Sequence, residues 1–562
     1  MASYGRKVQE VWDCLHFDRK RRAIGFVLFA ILSSLMELFS LAFLYEIASY
    51  LISDKKDDFF LMDFFSGLNY QGVADFYYVI LFFLVFYISI AFRIKVLKLG
   101  SGLAHAMGGD VASSLYKSVI KRIGVDVSVA HDSNEITSQI ATKALIVAER
   151  FINPLLHLFS TSLIFVVIFL YLLFVAWEET LGIALIAGGY YLIVIRLTRS
   201  RLFTMGSIAN KETTRLVKFT SRVLNSPREF LLYGELKPSV NDFDSCAQKL
   251  AEANGKAAFI SQLPKLLLEG VLISIAIIYF YYITGSGSYD GASLMILLVA
   301  ILRLLPLMQQ IFFMLSSMKN GESIVASVLE TISHGSRFHQ HQSLDIPDWH
   351  TLSFDSVKYK YSADQSPFLY NIQVHRNSIT AIVGPSGVGK STFVNILLGC
   401  SPHNSGRIYF DDFELGSLCH VAWRNKCSVV SQSPTLDLVQ KYVVEGTGSR
   451  SDFVREIFDE NLSHLGFNFG LETVRERIVN HSDFSGGELK RISLAFAYSF
   501  SEVKLIALDE FTAGLDAASR ELVLDFVTEK SHGKTVIIVT HLESDLRICD
   551  QVCSIQKNDV VK

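Results

Sequence analysis

Six apolar stretches, at about 23–52, 73–94, 151–176, 180–197, 257–284 and 291–317, each approach or exceed the ~20 residues that a helix needs to cross a bilayer. A chain that carries them is committed to a helical membrane part. Composition agrees, because 50% of the 562 residues are hydrophobic and only 19% charged, unlike a soluble globular protein. The net charge of −3 averages over two different halves, since residues 340–562 read as a soluble α/β unit with regular charge. The polar stretch His334–Trp349 is the expected boundary. The division is therefore an all-α membrane domain over 1–333, a linker over 334–349 and an α/β domain over 350–562.

An even number of crossings leaves both termini on one side. Lys and Arg crowd the N-terminus and the two long connections, 95–150 and 198–256. The short connections, Asp54–Gly72, Trp177-Glu178-Glu179 and Gly285–Asp290, carry acids. The positive-inside rule then puts the long connections, both termini and the soluble domain in the cytosol. Gly102–Lys121 and Leu202–Arg222 are helix-compatible extensions of the neighbouring spans. Breaks near Gly124–Ser133 and at Asn225-Ser226-Pro227-Arg228 predict a short transverse helix at each, touching the soluble domain. Met1–Arg22 lacks a cleavable signal, because Arg19-Lys20-Arg21-Arg22 precedes a long apolar run without a small-residue cleavage site. It reads as a surface helix leading into the first span. The cysteines, at 14, 246, 400, 419, 427, 549 and 553, have no metal-site or disulfide spacing and read as thiols in a reducing cytosol.

In the soluble half, Gly384-Pro385-Ser386-Gly387-Val388-Gly389-Lys390-Ser391-Thr392 follows the strand pattern Thr380–Val383 and precedes the helical run Phe393–Leu398. Glycines there let backbone N–H groups curl around phosphate, Lys390 reaches the β- and γ-phosphates of ATP, and Ser391 offers a hydroxyl to Mg²⁺. A second apolar strand, Leu505–Leu508, ends in Asp509-Glu510, so that one carboxylate can hold Mg²⁺ and the next can polarise the attacking water. A third, Thr535–Val539, ends at Thr540-His541, and the three converge on one nucleotide as switch-point logic expects. Phe484-Ser485-Gly486-Gly487-Glu488 opens a predicted helix Leu489–Phe500 and forms a second anion cradle. One domain with two phosphate cradles implies a partner.

Residues 350–562 carry these elements in the order found in the ATP-binding cassette of ABC transporters, which this half resembles. The resemblance implies that Tyr361 stacks on adenine, that Gln432 senses Mg²⁺ and water, and that Ser485, Gly486, Gly487 and Glu488 face ATP across a dimer. It makes Asp509 the metal-binding acid, Glu510 the general base, Leu515-Asp516 an interfacial loop and His541 the contact to the γ-phosphate. Phe484 and Glu488 depart from the usual Leu-Ser-Gly-Gly-Gln, Phe511–Gly514 departs from a commoner Ala-Thr-Ser-Ala, and Asp437–Gly446 fits the family poorly. With Glu510 and His541 both present, two competent sites per homodimer are expected, using ATP and Mg²⁺, with catalysis by positioning and electrostatics.

Six spans followed by a cassette resemble the exporter class, and within it the bacterial lipid-linked oligosaccharide flippases. That narrower likeness rests on Glu37, Ala91-Phe92-Arg93, Leu263-Pro264-Lys265, Leu268-Glu269-Gly270 and Leu302–Pro306. Charges inside a membrane cost about 2.5 to 3.5 kcal/mol each on insertion scales. Helical rise puts Glu37 and Arg303 at similar depth, roughly 20 Å along their spans. Arg303 is either a cavity cation for an anionic head group or half of an ion pair with Glu37. Arg93 and Lys265 lie nearer the inner surface and either join that belt or snorkel. Phe59–Phe65, flanked by charges, suits an interfacial helix engaging a polyprenyl tail, or a packed loop. The implied function is ATP-driven flipping of a polyprenyl-pyrophosphate-linked oligosaccharide in a bacterial inner membrane, by a homodimer with lipid and no nucleic acid as partner. The rivals are export of other lipids, drugs or peptides, and an ATP-gated channel or regulatory ATPase.

Overall fold

A computed structural model describes residues 2–52, 74–128, 136, 139–175, 177–285, 291–336, 348–360, 367–414, 420–467, 476–477 and 484–555. The chain divides into two units, one of residues 1–120 and 132–337, the other of residues 121–131 and 338–562.

The first unit is helical. A short α1 (Ala2–Asp13) precedes α2 (Phe17–Ile52) and α3 (Ala74–Ile123). Two π-turned stretches, Gln139–Lys143 and Ala148–Ile152, then lead into α4 (Asn153–Val175). Pro154 has no N–H for the carbonyl four residues back, and the second widened turn ends just before it. After α5 (Trp177–Asn225) come α6 (Pro227–Leu232), α7 (Leu236–Gly285) and α8 (Gly291–Ser336). Helices of 46 to 50 residues span about 70 Å or more, over twice a bilayer core. Four stretches among the described residues are long and apolar enough to cross a membrane: Phe17–Leu44, Ile80–Ile123, Ala144–Val175 and Thr180–Asn225. The expected fifth and sixth spans fall within α7 and α8.

Burial follows one stripe of each helix. On α3 the buried positions Ala104, Met107, Val111 and Leu115 recur every three or four residues, facing Phe151, Val325 and Val328. α1 is fastened to α8 by Lys7 Nζ, which donates to Glu322 Oε1 at 2.8 Å. Glu322 is held below the usual carboxylate range because hydrogen bonds and charge from Lys319 and Lys7 outweigh its burial.

In the second unit, β1 (Thr351–Tyr359), β2 (Phe368–His375), β4 (Ser405–Phe410) and β5 (Phe413–Glu414) form an antiparallel sheet in the order β2-β1-β4-β5. A parallel sheet runs β6-β7-β8-β3-β9, from β3 (Ile379–Val383), β6 (Cys427–Val430), β7 (Leu505–Asp509), β8 (Thr535–Val539) and β9 (Gln551–Ser554). Its central strands are continuous apolar runs because both faces are covered. The helices of this unit include α9 (Lys390–Leu397), α10 (His420–Asn425), α11 (Arg455–His464), α12 (Gly486–Ala497) and α13 (Ala517–Lys530). Trp349, the last residue of the expected linker, is already core, packed edge-on to Trp423 and Phe410.

The turn after α3 belongs to this second unit. Val127 N donates to Cys400 O at 2.9 Å, Ser401 Oγ to Asp126 Oδ1 at 2.9 Å, and Arg424 of α10 to the Gly124 carbonyl. The other break is α6, started by Pro227 and exposed except at the half-buried Phe230.

Candidate functional site

Four parallel strands deliver their carboxyl ends to one rim. β3 hands the chain to Gly384, β6 ends two residues before Gln432, β7 ends at Asp509 and β8 runs into Thr540-His541. Because β7 lies between β6 and β8, Glu510 sits between their products. Gln432 Nε2 donates to Glu510 Oε2 at 2.7 Å, and His541 Nδ1 lies 3.5 Å from Glu510 Oε1.

The loop between β3 and α9 needs its glycines for two different reasons. Gly387 has φ +78° and open space around it, so its constraint is conformational. Gly389 has φ +95°, and a Cβ there would meet the Tyr370 hydroxyl at 2.6 Å and the Phe368 ring at 2.8 Å. Tyr370 donates to the Gly389 carbonyl at 2.9 Å, which pins the loop to β2. Pro385 and Ser386 are exposed, whereas Val388 and Thr392 are buried beneath the loop. Lys390 Nζ curls back to donate to the carbonyls of Gly384 at 2.8 Å and Pro385 at 3.1 Å, two of an ammonium's three donors.

Ser391 Oγ donates to Asp509 Oδ2 at 2.9 Å, so a hydroxyl and a carboxylate meet at the head of α9. Burial, with the Glu510 carboxylate adding to it, pushes the Asp509 carboxyl up, against the pull of Ser391, Lys390 and Lys490. An oxygen pair whose charge is penalised by burial fits a hard divalent cation, which would restore the ionised form. The open Gly387 turn and the Lys390 ammonium fit the phosphates of a nucleotide.

Glu510 has φ +49°, a conformation that non-glycine residues seldom adopt. Its N–H donates to Val539 O at 2.9 Å. Lys490 Nζ from α12 donates to Glu510 O at 2.8 Å and Ala513 O at 2.7 Å. Burial pushes the Lys490 ammonium's pKa down, while Glu510 and Asp509 oppose the shift. Asp545, fully buried, accepts from Thr512 Oγ1 at 2.7 and 2.9 Å and from Thr540 Oγ1 at 2.6 Å, tying the segment after β7 to that after β8. Sequence patterns singled out neither Lys490 nor Asp545. The only cue for Lys490 is its place two residues after Glu488, and Asp545 has none.

The Phe484–Glu488 turn starts α12 at Gly486, three residues before the predicted Leu489. The cause is a reciprocal cap: Glu488 N donates to Ser485 Oγ at 3.2 Å and Ser485 N to Glu488 Oε2 at 2.8 Å. Asp516 likewise caps α13, accepting from Ser519 N at 3.1 Å. Tyr361, expected to stack on adenine, and Phe59–Phe65 lie outside the described residues.

In the first unit, the structure joins three of the four expected membrane charges. Glu37 of α2 is buried, and its Oε1 accepts from Arg303 of α8 at 3.0 Å and from Arg93 of α3 at 3.4 Å. Ser89 Oγ donates to Oε2 at 2.7 Å. Two guanidiniums on one carboxylate leave a net positive charge. Lys265 is exposed on α7, after Pro264, whose carbonyl accepts from Tyr190 at 3.1 Å.

Residues 370–513 match the ABC transporter family. A multidrug resistance ABC transporter ATP-binding and permease protein of Lactococcus lactis subsp. lactis is 22% identical over 503 residues, 83% of this chain and 82% of that protein. The ATP-dependent lipid A-core flippase of Chromobacterium violaceum is 25% identical over 388 residues, 67% of this chain and 66% of that protein. An ABC transporter ATP-binding protein of Mycoplasma pneumoniae is 30% identical over 219 residues, which cover only 34% of its length. A solved bacterial Atm1-family ABC exporter with ATP bound shares the fold, with a TM-score of 0.74 and 16% identity over 96% of this chain and 94% of that one.

Proposed function

We propose that the chain is a half-transporter of the ABC exporter type, a reading supported by its family match, its relatives and its fold, and that two copies couple ATP hydrolysis to moving an amphipathic, lipid-linked anion across a membrane. The observation that carries the ATPase reading is the rim on which Lys390, Ser391-Asp509 and the Gln432–Glu510–His541 cluster meet. In this reading residues 350–562 are the cytosolic ATPase and residues 1–333 the six-span membrane domain, in a bacterial inner membrane. Ser391, Gln432 and Asp509 would hold Mg²⁺, which would supply charge neutralisation at the phosphates. Lys390 binds the phosphates and orients them. Glu510 accepts the proton of a water that Gln432 helps to hold, and His541 sits on the other side of that carboxylate to contact the γ-phosphate. The turn Ser485–Glu488 serves the nucleotide of the second copy. Intact Glu510 and His541 weigh against an ATP-gated channel or a regulatory subunit.

For the substrate, the supporting observation is the net positive cluster Glu37, Arg93 and Arg303 inside the membrane unit. Side-chain exposure of 41% for Arg93 and 27% for Arg303 means that neither arginine is fully enclosed by its contact with Glu37. An anionic head group, such as the pyrophosphate of a polyprenyl-linked oligosaccharide, is the chemistry that such a cluster would receive. Other lipids and drugs form the second reading, favoured by what the flippase and multidrug relatives are named for. The test is ATP-dependent translocation in proteoliposomes of a fluorescent polyprenyl-pyrophosphate sugar beside a lipid A analogue and a cationic dye. Mass spectrometry of lipids retained by purified Glu510→Gln protein identifies the native cargo. Movement of the dye alone would overturn the anionic reading.

A further inference from the structure

The two departures of the Phe484–Glu488 turn from the usual family pattern share one partner. Arg477 Nη1 donates to Glu488 Oε1 at 3.0 Å, and the same guanidinium lies 4.2 Å from the centroid of the Phe484 ring. A planar cation can do both at once, bonding a carboxylate in its plane while an aromatic face covers it. Glu488 is thereby fully engaged, one oxygen on Arg477 and the other on Ser485 N. Arg477 and these capping bonds hold its carboxyl down to about 2. Neither side chain is shut away, with exposures of 26% for Arg477 and 21% for Glu488.

A glutamine at 488 could accept the Ser485 N–H just as well, so capping does not explain a carboxylate here. What the carboxylate adds is a negative charge on the rim of a turn that, in the proposed function, receives a triphosphate. Unpaired, it would repel that triphosphate across a few ångströms. Gly486 stays open, with nothing within 4 Å of a Cβ built on it, so backbone can approach an anion there once the charge beside it is cancelled.

We propose that Arg477 is a positioning residue of this turn: it neutralises Glu488 and covers Phe484, so that Ser485-Gly486-Gly487 presents an uncharged cradle to the nucleotide of a second copy. The inference rests on the reading that this turn faces that nucleotide. Acting through Glu488, Arg477 matters because 488 is acidic.

The experiment uses full-length protein in lipid nanodiscs, with steady-state ATPase and melting temperature measured for wild type, Arg477→Gln, Arg477→Lys, Glu488→Gln and the double variant Arg477→Gln/Glu488→Gln. Arg477→Gln is expected to raise KM for ATP about tenfold, the scale of one uncompensated charge at close range. Arg477→Lys, which keeps the cation, loses less. The decisive expectation is that the double variant returns to within about threefold of Glu488→Gln alone, because removing the carboxylate removes the need for Arg477. A role in packing Phe484 alone predicts instead that the double variant is as impaired, and melts as low, as Arg477→Gln. That result, or an Arg477→Gln protein with unchanged KM, overturns the proposal. Absence of turnover in the unaltered chain overturns the ATPase reading itself, together with this inference.

Discussion

Gln432 and Glu510, 78 residues apart, are joined by a 2.7 Å hydrogen bond because β6 and β7 are neighbours in the parallel sheet. The amide holds the carboxylate at the rim, and the +49° φ of Glu510 turns its backbone away from the strand path. A Glu510→Gln side chain keeps the size and much of the bonding but cannot take a proton. Steady ATP turnover is expected to fall at least about a hundredfold, the low end of general-base contributions. ATP binding, read by equilibrium dialysis, is expected to persist. Turnover within a few-fold of wild type would remove Glu510 as the base.

Ser485→Arg puts a bulky cation at the N-cap of α12, where Ser485 Oγ accepts from Glu488 N. If this turn serves the partner's nucleotide, hydrolysis is lost while ATP affinity at the Lys390 loop is kept. Normal turnover would count against a nucleotide shared between two copies.

Lys490→Met removes both bonds that hold the Glu510 and Ala513 carbonyls. Loss of a charge-assisted pair of this kind costs about 2 kcal/mol. Calorimetry is expected to show a lower melting temperature, and kcat is expected to drop with little change in KM, since the phosphate contacts are untouched. An unchanged kcat would mean that the strained backbone at Glu510 holds without Lys490.

In the membrane unit, Glu37 is the shared anion of Arg93 and Arg303. Arg303→Gln leaves Glu37 still bound by Arg93 and Ser89, whereas Glu37→Gln leaves two guanidiniums facing each other. Glu37→Gln is therefore expected to be the less stable variant. Arg303→Gln is expected to keep basal ATPase and lose translocation about tenfold or more, as befits one charge-assisted contact. Equal destabilisation in both, with translocation rescued in the double variant, would leave the cluster a purely structural one.

Glu488 carries a pH dependence with a definite sign. Its folded pKa, about 2, lies below the ordinary glutamate value of 4.5. A depressed carboxylate stabilises the fold fully above the unfolded value and loses that contribution as pH falls through the folded one. The difference in melting temperature between wild type and Glu488→Gln is thus expected to stay flat from about pH 8 to 5.5 and to shrink below about 4.5. A difference that changes between pH 8 and 6 would show that the carboxylate is not held this way.

Four of the six apolar stretches, the Gly384–Thr392 loop and the strand ends at Asp509-Glu510 and Thr540-His541 were legible because each is a local pattern. Membrane-length hydrophobicity and strand-loop-helix punctuation are written within 10 to 20 consecutive residues. Strand order decided the rest. Only the placing of β7 between β6 and β8 brings Glu510 to Gln432 and His541, and only the packing of α12 and the segment after β8 turns Lys490 and Asp545 into supports. The same limit governs the membrane charges. Helical rise put Glu37 and Arg303 at one depth, yet rise carries no information about which faces of α2, α3 and α8 meet. That Arg93 joins them on a single carboxylate, while Lys265 stays apart, depends on helix rotation, and rotation is set by packing between helices.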